Sequence, residues 1–263
     1  VAGGFAPQDV AGRRDLEQAM SQRIIARWVL GVTRRDSSLS AVEIDALEAA
    51  ISEVRTTGAD EEVVGAHEVT RRSMLLLEGW AYRSLSLEDG RRQILALHVP
   101  GDFVDMHSFP MRRMDHAVTT LTPCRFAVFP HGRLVELTER HPHLARLLWL
   151  GTLIDAAILR RWLLGVGQRS ALEHAAHLIC ELYTRLSIVG LTDQGRFPLP
   201  LTQAELGDVL GISGVHANRV VQGLRASGTV AWRGARIEIL DWDALQALAQ
   251  FDPDYLNLYD EPR

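Results

Sequence analysis

Lysine is missing from this chain of 263 residues: all 28 basic residues are arginine, against 33 acidic ones, for a net charge of -5. That balance excludes a protein that coats nucleic acid through bulk positive charge. It leaves open a reader that contacts a few phosphates locally. Cysteine is nearly missing too. Cys124 and Cys180 lie far apart with no C-x-x-C pair, which excludes a four-cysteine zinc or iron-sulfur site within one chain and any disulfide framework. A reducing cytoplasm is the expected setting. The polar, glycine-containing start at Val1 carries no signal-peptide pattern. The longest apolar tract, Leu144 to Leu164, is broken by Arg146, Asp155, Arg160 and Arg161, so no membrane span or membrane partner is expected. Nucleophile elbow, phosphate loop and metal-ligand spacings are also absent, and Asp102, Asp105 and His107 near a turn read as solvated groups. No enzyme is expected.

What is present centres on residues 200–228. Thr202 followed by Glu205 is a capping box that opens a helix whose apolar face is Leu206, Val209 and Leu210. Gly211 sits where the chain must turn through a left-handed conformation, and Ser213 caps a second helix with an apolar face of Ala217, Val220, Val221 and Leu224. The small residues Gly207 and Ala217 permit a close crossing. The pattern is a helix-turn-helix, whose second helix, over 213–224, would enter a DNA major groove. Gly214, Val215, His216, Asn218 and Arg219 fall off the apolar face at its start, and Gln222 follows one turn later. Thr202 and Gln203 begin the first helix, where backbone phosphates pass. Arg219 is the leading base contact, because a guanidinium bonds guanine O6 and N7 together. Val215 suits a thymine methyl, and His216 and Asn218 suit bases or phosphates. The alternative is an ordinary pair of packed helices.

A hydrophobic content of 47% is enough for a real core and two domains. Spacing of Leu16, Met20, Ile24 and Trp28 predicts a helix over 13–30, for docking or dimer packing. Ser40 and Glu43 form a capping box for a helix through Val54. Strands and turns then follow from Thr56 to Pro130. A strand pair is expected about Glu78-Gly79, turns at Glu88-Asp-Gly90 and Pro100-Gly-Asp102, and one strand over 118–129. Short, turn-punctuated strands suggest a small antiparallel barrel. A long helix after Pro142 carries Leu147, Leu150, Ile154, Ala157 and Ile158 at near-heptad spacing, while Leu148, Leu159 and Leu163 face another way. A helix apolar on two sides needs two partners: its own domain, and a second copy of the chain through Leu147, Leu150, Ile154 and Ile158. Gly165-Val-Gly167 reads as a hinge, and Ser170 with Glu173 opens a further helix to Arg185. Thr229 to Leu240 forms a strand-turn-strand wing, and 242–250 a closing helix.

Barrel, long helix, hinge and winged helix-turn-helix, in that order over roughly residues 40–250, resemble the cAMP receptor protein and fumarate-nitrate reduction regulator (Crp/Fnr) family. The likeness rests on Gly79-Trp-Ala, Glu88 to Leu95, Pro100-Gly-Asp-Phe103, Gly165 to Ser170, and Ser213-Gly-Val-His-Ala-Asn-Arg219. It implies an α+β protein: an N-terminal cyclic-nucleotide-binding-like β-barrel, a long dimerisation helix and a C-terminal winged helix-turn-helix. The corresponding divisions are 1–36 (extension with one helix), 37–130, 131–165 and 166–263. It further implies a cytoplasmic homodimer that reads a two-fold-symmetric operator in double-stranded DNA and regulates transcription, with RNA polymerase as a further partner.

The resemblance fails at the effector. Where cyclic-nucleotide-binding members carry a Gly-Glu that holds ribose, this chain has Asp105 and Met106. Where they carry a phosphate-binding Arg-Ser pair, it has Met114 and Asp115, and a carboxylate repels phosphate. The pocket is therefore read as degenerate and cAMP is not expected, although under a shifted alignment the neighbouring Arg112 and Arg113 could supply a cation. The oxygen-sensing branch uses an N-terminal cysteine cluster, and no cysteine precedes Cys124. Haem stays open through His67, His98, His107 or His116, against a plain hydrogen-bonding role for each. Cys124, on an apolar strand, reads as a packed thiol. The competing function is a haem- or small-ligand-sensing or partner-binding module whose helix-turn-helix is not the main surface. The net charge of -4 over 169–263, from 8 arginines and 12 acids, is the reason to weigh it.

Overall fold

Successive side chains of a strand point to opposite faces, so an unbroken apolar run such as Met74-Leu-Leu-Leu77 must be covered on both sides. The computed structural model, which describes residues 23–111 and 113–263, shows what covers it. Strand β3 (Arg72–Glu78) directs Met74 and Leu76 into a core between two sheets, with Val63, Val118 and Phe126. Leu75 and Leu77 face the other way, into a second core with Trp28, Val29, Leu47, Leu134 and Leu144 from helices. The partner strand β7 (Cys124–Pro130) divides its residues likewise, Phe126 and Val128 inward, Ala127 and Phe129 towards the helices.

The two sheets are antiparallel and open. One has the order β1 (Glu53–Thr57), β7, β3; the other β2 (Glu62–Val64), β6 (Ala117–Thr120), β4 (Ala81–Ser86), β5 (Arg92–His98). The expected closed barrel is thus a jelly-roll-like pair of sheets. Strands were foreseen on both sides of Glu78-Gly79, but β3 and β4 do not pair with each other: the chain changes sheet there. Gly79 has φ +91°, and a Cβ on it would lie 2.4 Å from Pro123 O, so the corner demands glycine. The single strand expected over 118–129 is likewise two, β6 and β7, one in each sheet. The turn at Gly90 closes the β4–β5 hairpin as expected, with Ser86 opposite Arg92.

Helix α1 (Ala26–Thr33) buries Trp28, Val29 and Val32 against the jelly roll. It starts later than its predicted pattern; Ile24 is exposed, and Leu16 and Met20 lie outside the described residues. Helix α2 (Ala41–Ala49) has the Ser40–Glu43 capping box but stops before β1 rather than reaching Val54. A one-turn helix α3 (Ser108–Met111) links β5 to β6. After β7, α4 (His131–Arg140) packs Leu134 and Leu137 on the sheet, and α5 (Pro142–Gln168) begins with proline at its first turn.

Helix α5 carries two corrections. It continues through Gly165 and Gly167 and breaks only at Arg169 and Ser170, so the joint between the two helices lies past both glycines. Gly165 is instead a contact, for a Cβ there would sit 2.4 Å from the ring of His174. The near-heptad stripe is also misassigned: Leu147, Ile154 and Ile158 are buried within the chain and Leu150 is half-buried, because the helix lies on the jelly roll and on α6 (Ala171–Ile188) with that face. Its open apolar face is Trp149, Leu153, Leu159 and Leu163, with Trp149 65% and Leu163 70% exposed.

The last region holds β8 (Arg196–Pro198), α7 (Gln203–Leu210), α8 (Gly214–Ala226), β9 (Val230–Arg233), β10 (Arg236–Ile239) and α9 (Trp242–Ala249), with sheet order β8-β10-β9. Its core is continuous with the sensor side, running from Tyr82, Ile94 and Leu97 through Ile158 and Trp162 to Leu206 and Leu224. The tail folds back on the N-terminal helices: Ser37 N donates to Asp260 at 2.7 Å, and Arg263 N to Asp36 at 2.7 Å. Among the described residues no helix is long and apolar enough to cross a membrane.

Candidate DNA-reading face and sensor pocket

The helix-turn-helix is built from local rules that the structure meets in full. Thr202 Oγ1 accepts from Glu205 N at 3.2 Å while Glu205 accepts from Thr202 N at 2.7 Å. Gly211 closes α7 at φ +69°, and Ser213 Oγ accepts from His216 N at 3.3 Å to start α8. A Cβ on Gly207 would fall 2.7 Å from Ile212 O, so this glycine sets how tightly the turn folds against α7. Ala217, Val220, Val221 and Leu224 form the buried stripe of α8. Thr202, Gln203, Ser213, Val215, His216, Arg219 and Gln222 are exposed, and Gly214 and Asn218 are half-buried. Among the described residues Arg219 has no ion-pair partner, and its guanidinium is free to meet a ligand. Between Asp208 and Glu238 the chain has no acid and four arginines, Arg219, Arg225, Arg233 and Arg236. The acidity of the surrounding region is therefore placed elsewhere. Arg225 is spent on structure, donating through Nε to Trp232 O at 2.8 Å and so tying α8 to the wing.

The sensor side grips this motif directly. On β5, Arg92 donates through Nε and Nη2 to Asp208 Oδ2 on α7, at 2.9 and 2.7 Å, and its guanidinium lies over the Tyr82 ring. Gln93 Nε2 donates to Asp208 O at 2.6 Å. Deeper in, Arg185 of α6 bonds Asp102 Oδ2 at 2.6 Å, Glu181 Oε1 at 3.2 Å and Leu97 O at 2.9 Å. Burial opposes the charge on Asp102, but Arg185 outweighs it and holds the carboxyl well below the usual range. Sequence reading missed this buried network, whose members are dispersed over β5, the turn after it and α6.

The four residues read as a degenerate pocket do not converge. Asp105 is buried and accepts from Met74 N at 2.6 Å, its other oxygen has no partner, and burial pushes its pKa to about 7. Met106 joins the helix-side core and Met114 fills the core between the sheets. Asp115 is exposed and pairs with His116. The actual cavity, of about 130 Å³, lies between α1, β5, α5 and α6; its polar lining includes Arg27, Arg83, Asp102, His107, Asp155 and Arg185, and Met106 is the one predicted pocket residue that reaches it. Of the four barrel histidines, His67 is exposed on a turn, His98 is buried with Nε2 unpartnered, and His107 and His116 face each other with ring centroids 4.7 Å apart. Cys124 is buried and its Sγ donates to Trp80 O at 3.2 Å, and burial raises its pKa: a packed thiol.

A jelly roll joined through one long helix to a winged helix-turn-helix defines a two-part DNA-binding transcription regulator. Comparison with known proteins says the same. A cyclic nucleotide-binding domain model matches residues 54–141 and a Crp-like helix-turn-helix model residues 173–248. The chain is 31% identical to the nitrogen fixation regulation protein FixK of Bradyrhizobium diazoefficiens, covering 81% of this chain and 88% of that protein. It is 30% identical to the transcriptional activator protein FnrL of Cereibacter sphaeroides, over 68% and 73% of the two chains. The solved structure of FixK2 from Bradyrhizobium japonicum superposes with a TM-score of 0.68 at 24% identity, over 74% of this chain and 96% of that one. The chain belongs to the Crp/Fnr family of transcription regulators. These are not enzymes.

Proposed function

We propose that the chain is a cytoplasmic homodimer that reads a palindromic operator through α8, with Arg219 on a base edge. Val215, His216, Asn218 and Gln222 lie beside it in the groove, and Thr202, Gln203, Ser213 and Gly214 lie against the backbone. The observation that carries this is the exposed start of α8, which lies in a run with no acid and four arginines between Asp208 and Glu238, in a domain otherwise net negative. Dimerisation is assigned to the open α5 face, Trp149, Leu153, Leu159 and Leu163, and no longer to Leu147, Ile154 and Ile158. The working division is an extension before residue 37, a sensor to 130, connecting helices to 168, and a DNA-binding domain beyond. RNA polymerase is the further partner. cAMP is a poor fit as effector, because Met114 is packed into the core and Asp115 would repel phosphate.

Selection of bound sequences from random duplex DNA with the purified protein tests this reading. A palindrome with half-sites about one helical turn apart, ~34 Å, is expected. Arg219→Ala should weaken specific binding by ~1–3 kcal/mol and relax the preference at one base pair. No enrichment from random duplexes, or an Arg219→Ala profile identical to wild type, counts against it.

A further inference from the structure

We propose that His107 and His116, with Asp115, form a site for a divalent transition metal of the zinc class, set between β5 and β6. One potential ligand atom from each of the three side chains lies within 4.8 Å of the others. The Oδ1 of Asp115 is 2.7 Å from His116 Nδ1. A carboxylate only accepts, so Nδ1 carries the proton and Nε2 is left with its lone pair. This is the carboxylate-histidine arrangement that orients a metal ligand. The Nε2 atoms of both His107 and His116 are buried with no hydrogen-bond partner among the described residues, and the His116 side chain is only 9% exposed. Buried polar atoms without partners are costly, and a metal bound at Nε2 would relieve that cost.

The electrostatics agree. Arg83, the nearby cation, is already paired with Asp155 and donates to Val104 O at 2.9 Å. Two imidazoles beside a carboxylate favour zinc, nickel or copper over magnesium or calcium, and leave room for water, as an exchangeable site requires. His107 also lines the cavity against α5, so a bound metal would tie the α3 segment to the start of β6 beside the connecting helix.

The test uses full-length protein stripped with a chelator, titrated with Co²⁺ and followed by visible d-d absorption, then with Zn²⁺ against a chromogenic chelator. One equivalent per chain is expected. Asp115→Asn, at an exposed position that tolerates the change, should weaken binding ~10–100-fold. His116→Ala should abolish the Co²⁺ band. Should His116→Ala fail to fold, His107→Gln takes its place. Wild type that takes up no equivalent, or a site of unchanged affinity in Asp115→Asn and the histidine variant, overturns the proposal. No DNA enters these measurements, so the outcome is independent of the operator reading.

Discussion

Gly165 and Gly167 lie two residues apart on α5, and the structure gives them opposite roles. Alanine at either gains the helix preference over glycine, up to ~1 kcal/mol and less near a terminus. At Gly167 nothing lies within 4 Å of the added Cβ, so Gly167→Ala should stabilise the protein. At Gly165 the same atom would sit 2.4, 2.5 and 2.8 Å from three atoms of the His174 ring. His174 is itself 1% exposed on α6 and has little room to retreat. Overpacking of this kind costs ~1–3 kcal/mol. The helix term is favourable at both and somewhat larger at Gly165, so a lower midpoint for Gly165→Ala than for Gly167→Ala can come only from this overpacking, which for a chain of this size is ~2–4 °C in Tm per kcal/mol. Thermal unfolding at one fixed protein concentration measures it, since a dimer's midpoint moves with concentration. Adding His174→Ala to Gly165→Ala should recover part of the loss. Equal midpoints for Gly165→Ala and Gly167→Ala would refute the packing argument and return the pair to the role of a flexible joint.

The Arg92–Asp208 contact predicts a coupling energy of ~0.5–1 kcal/mol in a double-mutant cycle, small because both side chains are about a third exposed. Hydrogen exchange of α7 amides should quicken in Arg92→Ala; unaltered exchange would show that the hairpin does not restrain the motif. Burial lowers His174 to about 4 and His177 to about 3, so the unfolded chain, with histidine near ~6.5, binds protons first as pH falls. Stability should therefore drop from pH ~6.5 towards pH ~4, read as a falling urea midpoint. His143 acts in the opposite sense. Burial disfavours its charge, but hydrogen bonds to Asp36 and Glu43 win and raise its pKa, so its contribution is full below pH ~6.5 and is lost as pH rises through the folded value. His143→Gln should remove that alkaline loss, and an unchanged pH profile would contradict the pairing. Cys180, buried and raised to about 12, and Cys124 should resist iodoacetamide in the folded protein at pH ~8 and react on unfolding.

Local sequence by itself determined the parts whose partners are three or four residues away. The capping boxes at Ser40, Ser170 and Thr202 are all formed, Gly211 takes the left-handed turn, and the α8 stripe from Ala217 to Leu224 is buried as spaced. The helix-turn-helix was legible because its defining contacts lie within one short stretch of chain. Tertiary structure alone decided the rest. Alternation placed β3 and β4 on either side of Gly79, yet neither strand's pattern says that the chain changes sheet there. Helix α5 is apolar on two sides, and periodicity cannot tell which side meets the jelly roll: Leu147, Ile154 and Ile158, read as the dimer stripe, are buried within the chain, while Leu159 and Leu163, read as facing the chain's own domain, are exposed. The polar cavity lining comes from α1, β4, β5, α5 and α6, and the Arg185–Asp102 pair spans 83 positions. Such groups meet only because hydrophobic burial folds both parts of the molecule onto one helix, and no local spacing encodes that meeting.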